Sequence, residues 1–354
     1  MKSTYLDKDV TLLLKDISGL VPPLSTLERE KQIQNGVHYS EMLPLEYRPS
    51  VKYMEAYEFS LQAFARHTAN AVCQVSEKIY SLFKNNNSKE IVLVSLARAG
   101  IPIGILIKRY LEKKYNISIA HYAVSIIRGR GIDTNAIDYI LSMHNPESIQ
   151  FVDGWIGKGA IQRELDAAMF NYPKVSTKLA VLSDPANITD LCGTHEDILI
   201  PSSCLNSTVS GLLSRTFLRQ DIIKNQDFHG AAFYSTLLEE DISYTFIDTI
   251  ENHFDYDIQL FDTLPTGPSG LDEVNHIAKH YNIQDINLIK PGIGEATRVL
   301  LRRVPWKLLL KPDWEKDPLL HHLIQLAKEK KVSIEEYDLR NYKACGIIQN
   351  MCDA

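Results

Sequence analysis

Ile91-Val-Leu-Val-Ser95 is a short apolar run rich in β-branched side chains, and the loop Leu96-Ala-Arg-Ala-Gly-Ile-Pro102 follows it. Such a run is typical of a strand buried in a parallel sheet. The loop brings glycine and then proline to the point where a helical pattern begins, and proline is common in the first turn of a helix. This stretch therefore predicts a strand, a loop and a helix, the unit from which α/β folds are built.

The same order of elements recurs along the chain. We predict further strands at 117–127, 149–153 and 178–183, with a candidate fifth strand at 197–201. Short strands that alternate with helices imply right-handed crossovers and a parallel sheet. We therefore predict an α/β fold, a doubly wound parallel sheet with an N-terminal helical extension and a small C-terminal α/β sandwich.

Changes in composition predict the domain boundaries. Residues 1–88 form a mostly helical N-terminal extension, and 89–260 form the sheet domain. Residues 261–270 are rich in proline, glycine, serine and threonine and predict a linker. A second α/β unit occupies 271–354.

Composition excludes several classes of protein. The chain has 354 residues, a net charge of −6 and 45% hydrophobic residues, which is ordinary for a soluble globular protein. No apolar run approaches the ~20 residues of a membrane span, and no signal-type segment opens the chain, so we expect a cytoplasmic protein without membrane contact. The five cysteines are scattered without a Cys-x-x-Cys pair, which argues against a disulfide framework and a zinc site. We expect no metal held by a protein ligand cluster.

Glycine-bearing loops follow three of the predicted strands. The carboxyl ends of parallel strands share one edge of a sheet, where ligands bind. Backbone N–H groups at helix N-termini and basic side chains both favour anions, so these loops predict a phosphate-binding cleft. Their candidate residues are Ser95, Arg98 and Gly100, then Arg128 and Arg130, then Asp153, Gly154, Gly157, Lys158 and Gly159.

A fourth polar segment follows the last predicted strand. It reads as a phosphate-binding or helix-capping turn that lines the same cleft. Its candidate residues are Ser202, Ser203, Asn206, Ser207 and Thr208.

With these loops, residues 89–210 resemble the type I phosphoribosyltransferases. The resemblance implies a glycosyltransferase that binds a phosphoribosyl pyrophosphate-type donor, a phosphorylated ribose, with Mg²⁺ shielding the pyrophosphate. It implies a pyrophosphate site at Ser95, Arg98, Ala99 and Gly100. It places the ribose phosphate at Asp153, Gly157, Lys158 and Gly159, and a catalytic loop at 128–133. One departure is Gly154, which stands where that family has a second acid.

A divergent branch is more closely similar. Phe151-Val-Asp-Gly-Trp-Ile-Gly-Lys-Gly-Ala-Ile161 and Pro201-Ser-Ser-Cys-Leu-Asn-Ser-Thr-Val-Ser-Gly211 resemble proteins of bacterial tellurite-resistance and stress operons, often labelled cysteine protease StiP. This resemblance extends over most of the chain and implies the synthesis of a nucleoside-like metabolite.

A cysteine-dependent hydrolase is the alternative. Cys204 precedes a predicted helix, whose dipole would favour the thiolate. Such an enzyme also needs a histidine within hydrogen-bond reach, and His195 and His229 are both candidates.

The C-terminal unit carries its basic residues unevenly. A Pro-Gly-Ile-Gly turn opens a basic helix, and clustered guanidinium groups beside exposed N–H groups suit a phosphate backbone. The unit resembles the pelota-type RNA-binding fold, and the third hypothesis is therefore a non-catalytic RNA-binding stress protein. The alternative for this unit is an ordinary α/β domain that docks on the sheet domain. The candidate RNA-binding residues are Lys290, Gly292, Gly294, Arg298, Arg302 and Arg303.

Overall fold

A computed structural model describes residues 1–85, 90–261 and 267–350. Half of the expected linker at 261–270, residues 262–266, therefore lies outside the described residues. The helices are α1 Thr26–Gln34, α2 Val51–Asn85, α3 Ile101–Tyr115, α4 Thr134–Leu141, α5 Ala160–Ala168, α6 Ser243–Glu251, α7 Gly270–His280, α8 Ile293–Arg302 and α9 His321–Glu329. The strands are β1 Thr11–Leu12, β2 Lys15–Asp16, β3 Val92–Ala97, β4 Ala120–Ile127, β5 Gly131–Ile132, β6 Ile149–Trp155, β7 Ala180–Ser183, β8 Cys192–Thr194, β9 Gly230–Ala231, β10 Ile289–Pro291, β11 Pro305–Leu310, β12 Ser333–Glu336 and β13 Ala344–Ile348.

The central sheet is mostly parallel, as predicted. Its strands lie in the order β1-β4-β3-β6-β7-β8, every neighbouring pair in this path is parallel, and β5 pairs antiparallel with β4. The chain runs outward from β3 to β4 and then returns to the other side of β3 at β6. The crevice between β3 and β6 is therefore the point at which the strand order reverses, where open α/β sheets bind ligands.

Helices cover both faces of this sheet. Apolar residues of α2, α3 and α6 form the core on one face, and those of α4 and α5 form it on the other. The core on the α2 face continues into α8 and α9, so the C-terminal unit shares it. The α/β class is thus confirmed in its layers.

The N-terminal segment does more than add helices. It contains the 35-residue α2, and β1 extends the central sheet by pairing with β4. A short parallel pair joins β2 to β9. The domain boundaries themselves stay a prediction.

The C-terminal unit has its own mixed sheet in the order β10-β13-β11-β12. β13 is antiparallel to both of its neighbours, and β12 is parallel to β11. α8 packs against this sheet on one side and against residues 201–204 of the sheet domain on the other. None of the helices in the described ranges combines the length and the apolar character that a bilayer crossing requires.

The last strand of the central sheet is displaced from its predicted place. We predicted a strand at 197–201, but β8 comprises Cys192–Thr194 and Pro201–Cys204 form a 3-10 turn. The apolar side chains of Ile198, Leu199 and Ile200 are buried in the core without joining the sheet. Burial of an apolar run does not by itself select a strand.

Candidate functional site

The carboxyl ends of β6 and β7 meet the N-terminus of α8. We call this contact between the sheet domain and the C-terminal unit the junction. It encloses a small cavity of about 10 Å³, about the room that one water molecule needs. The cavity is lined by residues of both units, including Trp155, Ser183, Asp197, Ser203, Gly292 and Gly294.

Asp197 fastens the two units together. Its carboxylate accepts hydrogen bonds from the backbone N–H of Ile293, at 2.9 and 3.1 Å, and of Lys343, at 2.9 Å. The carboxylate thus occupies the N-terminus of α8, where unpaired N–H groups favour negative charge. Burial raises the pKa of Asp197 to about 6, although these backbone hydrogen bonds act in the opposite direction.

The Lys158 loop also contacts the C-terminal unit. Lys158 Nζ donates to the carbonyl oxygens of Ile286 at 2.5 Å and Ile289 at 3.2 Å, and Tyr342 donates to the carbonyl of Gly157 at 2.6 Å. Burial, followed by the charge of neighbouring basic groups, lowers the pKa of Lys158 to about 8. Its ammonium group therefore serves as an anchor between the two units in this structure.

Asp153 lies beside the basic helix of the C-terminal unit. Its carboxylate accepts a hydrogen bond from the N–H of Gly154 at 2.7 Å, and burial raises its pKa to about 6. Arg298 lies over the Trp155 ring at 4.6 Å and pairs with Glu295 at 3.2 Å. The described residues contain no group of three or more His, Cys, Asp or Glu side chains that could share a metal ion, and the expected Mg²⁺ stays a prediction.

Ser95, within β3, and Arg98, just after the strand, lie in different surroundings. Arg98 donates to the carbonyl of Leu213 at 2.7 Å and to Asn206 Oδ1 at 2.8 Å, and it pairs with Glu46 at 3.4 Å. Ser95 is instead fully buried beneath α3, where its hydroxyl lies 2.7 Å from His121 Nε2. The structure thus brings Arg98 and Asn206 together and places Ser95 away from them.

The rest of this loop makes the turn into α3. Ala99 lies within the turn, and Gly100 is the N-cap of the helix. A Cβ at Gly100 would lie 2.7 Å from the backbone oxygen of Val152, so the turn and β6 approach too closely for a larger residue.

The loop after β4 is held by its neighbours. The N–H of Arg128 donates to the Tyr39 hydroxyl at 2.9 Å, and its guanidinium donates to Asn287 Oδ1 at 2.9 Å. Arg130 pairs with Glu41. The backbone of this glycine loop donates to Glu164.

The polar segment after β8 contains hydroxyl groups without partners. Within the described residues, the hydroxyls of Ser203, Ser207 and Thr208 are buried and have no hydrogen-bond partner. Ser203 faces the cavity beside Gly294, and Ser202 is partly exposed. The predicted glycines on the sheet-domain side of the junction are Gly154, Gly157 and Gly159. Gly159 has φ +74° and is the N-cap of α5.

The candidate RNA-binding residues lie on the C-terminal side of the same junction. Gly292 has φ +94° and faces Asp197, and Arg303 pairs with Glu30 of α1 at 2.9 Å. Lys290 and Arg302 are partly buried. In this structure the sheet domain covers the loop that we predicted to hold RNA.

The environment of Cys204 differs from the expectation that its thiol is activated. The thiol is fully buried, its sulfur lies 3.7 Å from the Ser60 hydroxyl, and burial raises its pKa. Of the two candidate bases, His229 contacts Ser125 at 2.9 Å instead.

His195 contacts a cysteine that the sequence analysis missed. Cys192 Sγ lies 3.6 Å from His195 Nε2 and 3.9 Å from Nδ1, and Nδ1 lies 2.7 Å from the backbone oxygen of Asp184. Because the two sulfur–nitrogen distances are similar, the sulfur lies beside the ring and not along one lone pair. Asp184 Oδ2 is 3.7 Å from Nδ1. The signal in the sequence was the Cys-x-x-His spacing at 192–195, which begins at the first residue of β8.

Comparisons with known proteins bear on both units. Residues 3–251 match the family described as tellurite-like stress resistance cysteine protease StiP, and 268–350 match the family described as PELOTA RNA binding domain. The chain is 36% identical over 368 residues to the cysteine protease StiP of Acinetobacter baylyi (strain ATCC 33305 / BD413 / ADP1). That alignment covers 98% of this chain and 94% of the relative.

These matches correct our main functional prediction. We predicted a phosphoribosyltransferase-like glycosyltransferase with a phosphoribosyl pyrophosphate-type donor, and that prediction is wrong, since both the family and the relative are named as cysteine proteases. Arg98 and Lys158 donate hydrogen bonds to carbonyl oxygens elsewhere in the chain, and Asp153 accepts one from the adjacent Gly154 N–H, so the side chains that we assigned to phosphate binding make internal contacts in this structure. The resemblance to the stress-operon branch is confirmed: the chain belongs to the StiP family of tellurite-like stress resistance cysteine proteases.

Proposed function

We propose that the protein is a cysteine-dependent hydrolase and that Cys192 is its nucleophile, with His195 as the base. The proximity of the Cys192 sulfur to the His195 ring carries this assignment. Among the described cysteines, Cys192 is the one whose sulfur contacts a histidine side chain. The name of the Acinetobacter relative supports the reaction class.

The roles follow from thiol chemistry. Once the sulfur lies on the lone pair of Nε2, His195 would accept the proton of Cys192 and the thiolate would attack a carbonyl carbon. The amine of the cleaved bond would leave with the proton from His195, and water would then hydrolyse the acyl-enzyme and regenerate the thiol. Asp184 would orient the ring through its backbone oxygen and hold the Nδ1 proton. The imidazole is 18% exposed whereas Cys192 is fully buried, so substrate must approach from the His195 side and displace the covering residues.

Two single substitutions separate the candidate thiols. With fluorescently labelled casein as substrate, we expect Cys192→Ala to reduce hydrolysis at least 100-fold and Cys204→Ala to leave it within about twofold, because a hydrolase that loses its nucleophile keeps little activity. Cys345→Ala, at another buried thiol, is the matched control for packing. The reverse pattern would assign the nucleophile to Cys204, and full activity in both variants would remove the thiol mechanism.

We also propose that the C-terminal unit binds RNA, on the strength of the PELOTA match over 268–350. The basic residues of α8 and the preceding glycine loop would contact the phosphate backbone. We expect Lys290→Gln to lower the slope of log affinity against log salt by about 1, and the exposed Lys279→Gln to leave it unchanged. Equal slopes in the wild type and Lys290→Gln would refute this placement.

As a statement of fold alone, we propose that the sheet domain shares the strand topology of the type I phosphoribosyltransferases. The reversal of strand order between β3 and β6 supports it. No transfer activity follows from the topology.

A further inference from the structure

Basic side chains outnumber acidic ones where α1, the Arg98 loop and α8 meet. We call this group the junction cluster. The excess is three positive charges in a chain whose net charge is −6. The basic members are Arg29, Arg98, Arg215, Lys290, Arg298, Arg302 and Arg303, and the acidic members are Glu30, Glu46, Asp153 and Glu295.

The carboxylates are already engaged by three of the arginines. Glu46 pairs with Arg98 at 3.4 Å, Glu295 with Arg298 at 3.2 Å, and Glu30 with Arg303 at 2.9 Å. Asp153 accepts from a backbone N–H. Four basic groups therefore remain to be accounted for.

Those four basic groups make no hydrogen bond or ion pair within the described residues. They are Arg29, Arg215, Arg302 and Lys290. Nε of Arg29 and Nη2 of Arg302 are buried donors without an acceptor, and so is Nε of Arg298. Arg215 contacts only the Tyr39 ring, at 5.8 Å. Arg29, Lys290 and Arg302 are partly buried, and Arg215 is exposed. A buried donor of a cationic group without a partner is unfavourable, and proteins ordinarily pair such a group or use it to bind an ion.

Contacts in the chain place Arg29 near the end of α8 and Arg215 near the Arg98 loop, and Lys290 lies in β10, just before the turn that opens α8. The Arg303–Glu30 pair sets α1, with Arg29, against the end of α8, with Arg302. Arg98 binds the carbonyl of Leu213, two residues before Arg215.

Repulsion between the cations is consistent with this placement. Burial, and then the charges of Arg298 and Arg98, lowers the pKa of Arg302 to about 9. An anion among them would relieve this effect.

We propose that Arg29, Arg215, Arg302 and Lys290 form a binding site for a phosphate-class dianion at the junction. A dianion with several acceptor oxygens matches multiple guanidinium donors, which bind phosphate in a bidentate manner. A single carboxylate would leave most of the excess charge in place. These groups suit a free phosphate or the terminal monoester of a nucleotide or RNA, since either carries two negative charges. The site extends the RNA proposal to the sheet domain and does not rest on hydrolase activity.

Isothermal titration of the full chain with sodium phosphate, against sodium chloride of equal ionic strength, tests the site. We expect saturable phosphate binding that Arg215→Gln and Arg29→Gln each weaken at least tenfold, while the exposed Arg66→Gln leaves it unchanged. Without phosphate, we expect the melting temperature of Arg215→Gln to equal or exceed that of the wild type, because an unpaired repulsive charge is removed. A lower melting temperature would indicate a structural arginine and overturn the proposal.

Further probes identify the source of the phosphate. Adenosine 5′-monophosphate is compared with adenosine, and a 5′-phosphorylated RNA oligonucleotide with its 5′-hydroxyl form. Tighter binding of the phosphorylated member of each pair assigns the site to a terminal monoester. Binding of inorganic phosphate alone assigns it to the free ion. Absence of phosphate binding, equal binding by Arg215→Gln, or binding of a glutamate peptide in place of phosphate would overturn the proposal.

Discussion

Replacing Asp197 with asparagine tests how the two units are held together. The carboxylate is 4% exposed and accepts from the backbone N–H groups of Ile293 and Lys343. Burial raises its pKa from 3.8 to about 6, which shows that the cost of burying the charge exceeds the gain from these hydrogen bonds. The folded protein therefore binds this proton more tightly than the unfolded chain does.

The raised pKa of Asp197 makes the free energy of unfolding depend on pH. Since the folded-state pKa is the higher one, the contribution of Asp197 to the free energy of unfolding is fully present below about pH 4 and is lost as the pH rises through about 6. A pKa that rises from 3.8 to about 6 on folding corresponds to about 3 kcal/mol of unfolding free energy, of which about 2 kcal/mol is lost between about pH 4.5 and about pH 7.5. The amide of an asparagine side chain cannot ionise, so Asp197→Asn should lack this loss.

Urea denaturation at those two pH values gives the comparison. We expect the difference in unfolding free energy, variant minus wild type, to become more positive by about 2 kcal/mol from about pH 4.5 to about pH 7.5. Asp257→Asn, at an exposed carboxylate, controls for the general effect of charge. If the Asp197→Asn difference is the same at both pH values, the raised pKa and its cause are refuted.

Two further substitutions test the packing of the sheet and the closure of the junction. Gly193→Ala places a Cβ 2.4 Å from the backbone oxygen of Ala71, so we expect a loss of about 3 kcal/mol or more in urea denaturation. Gly154→Ala, whose Cβ would meet nothing closer than 4.0 Å, should cost less than about 1 kcal/mol, and similar costs would refute the close approach of α2 to β8. Tyr342→Phe removes the hydrogen bond to the carbonyl of Gly157 and should weaken the junction by about 1 kcal/mol. If the closed junction competes with RNA, this loss should raise the RNA affinity measured by fluorescence anisotropy roughly fivefold. Unchanged affinity would contradict the competition.

The layers of the fold were predictable because they depend on local patterns. β7 is buried throughout, and β3 and β6 are buried except at Ala97, Asp153 and Trp155. The intervening helices contribute apolar side chains to the two cores. β8 was not predictable in this way, since it has three residues and its centre is Gly193, which disfavours a strand. That glycine is required by tertiary packing, because the backbone of α2 passes directly over it.

The site was less predictable because its contacts join distant parts of the chain. The structure brings Arg98 into contact with Asn206, whereas Lys158 donates to carbonyl oxygens of the C-terminal unit. The position of a loop at a strand end does not indicate which atoms its side chains bind, and the roles of these residues stay a prediction. Ser95 was assigned to the cleft from its place near a strand end, yet strand alternation directs it beneath α3 to His121. The Asp197–Ile293 contact spans 96 residues and has no local signature.

The junction makes the two units interdependent. The N-terminus of α8 can be occupied by Asp197 or by an anionic ligand, but the same N–H groups cannot serve both. An RNA that needs Gly292 and Gly294 must therefore compete with the closed junction, and its apparent affinity falls by the fraction of molecules that are closed. By linkage, RNA that binds the open form must shift the sheet domain towards that form as well. Any change that weakens the Asp197 and Tyr342 contacts should therefore be measurable at both units, as tighter RNA binding and as greater accessibility of the sheet-domain surface around Trp155 and Ser203.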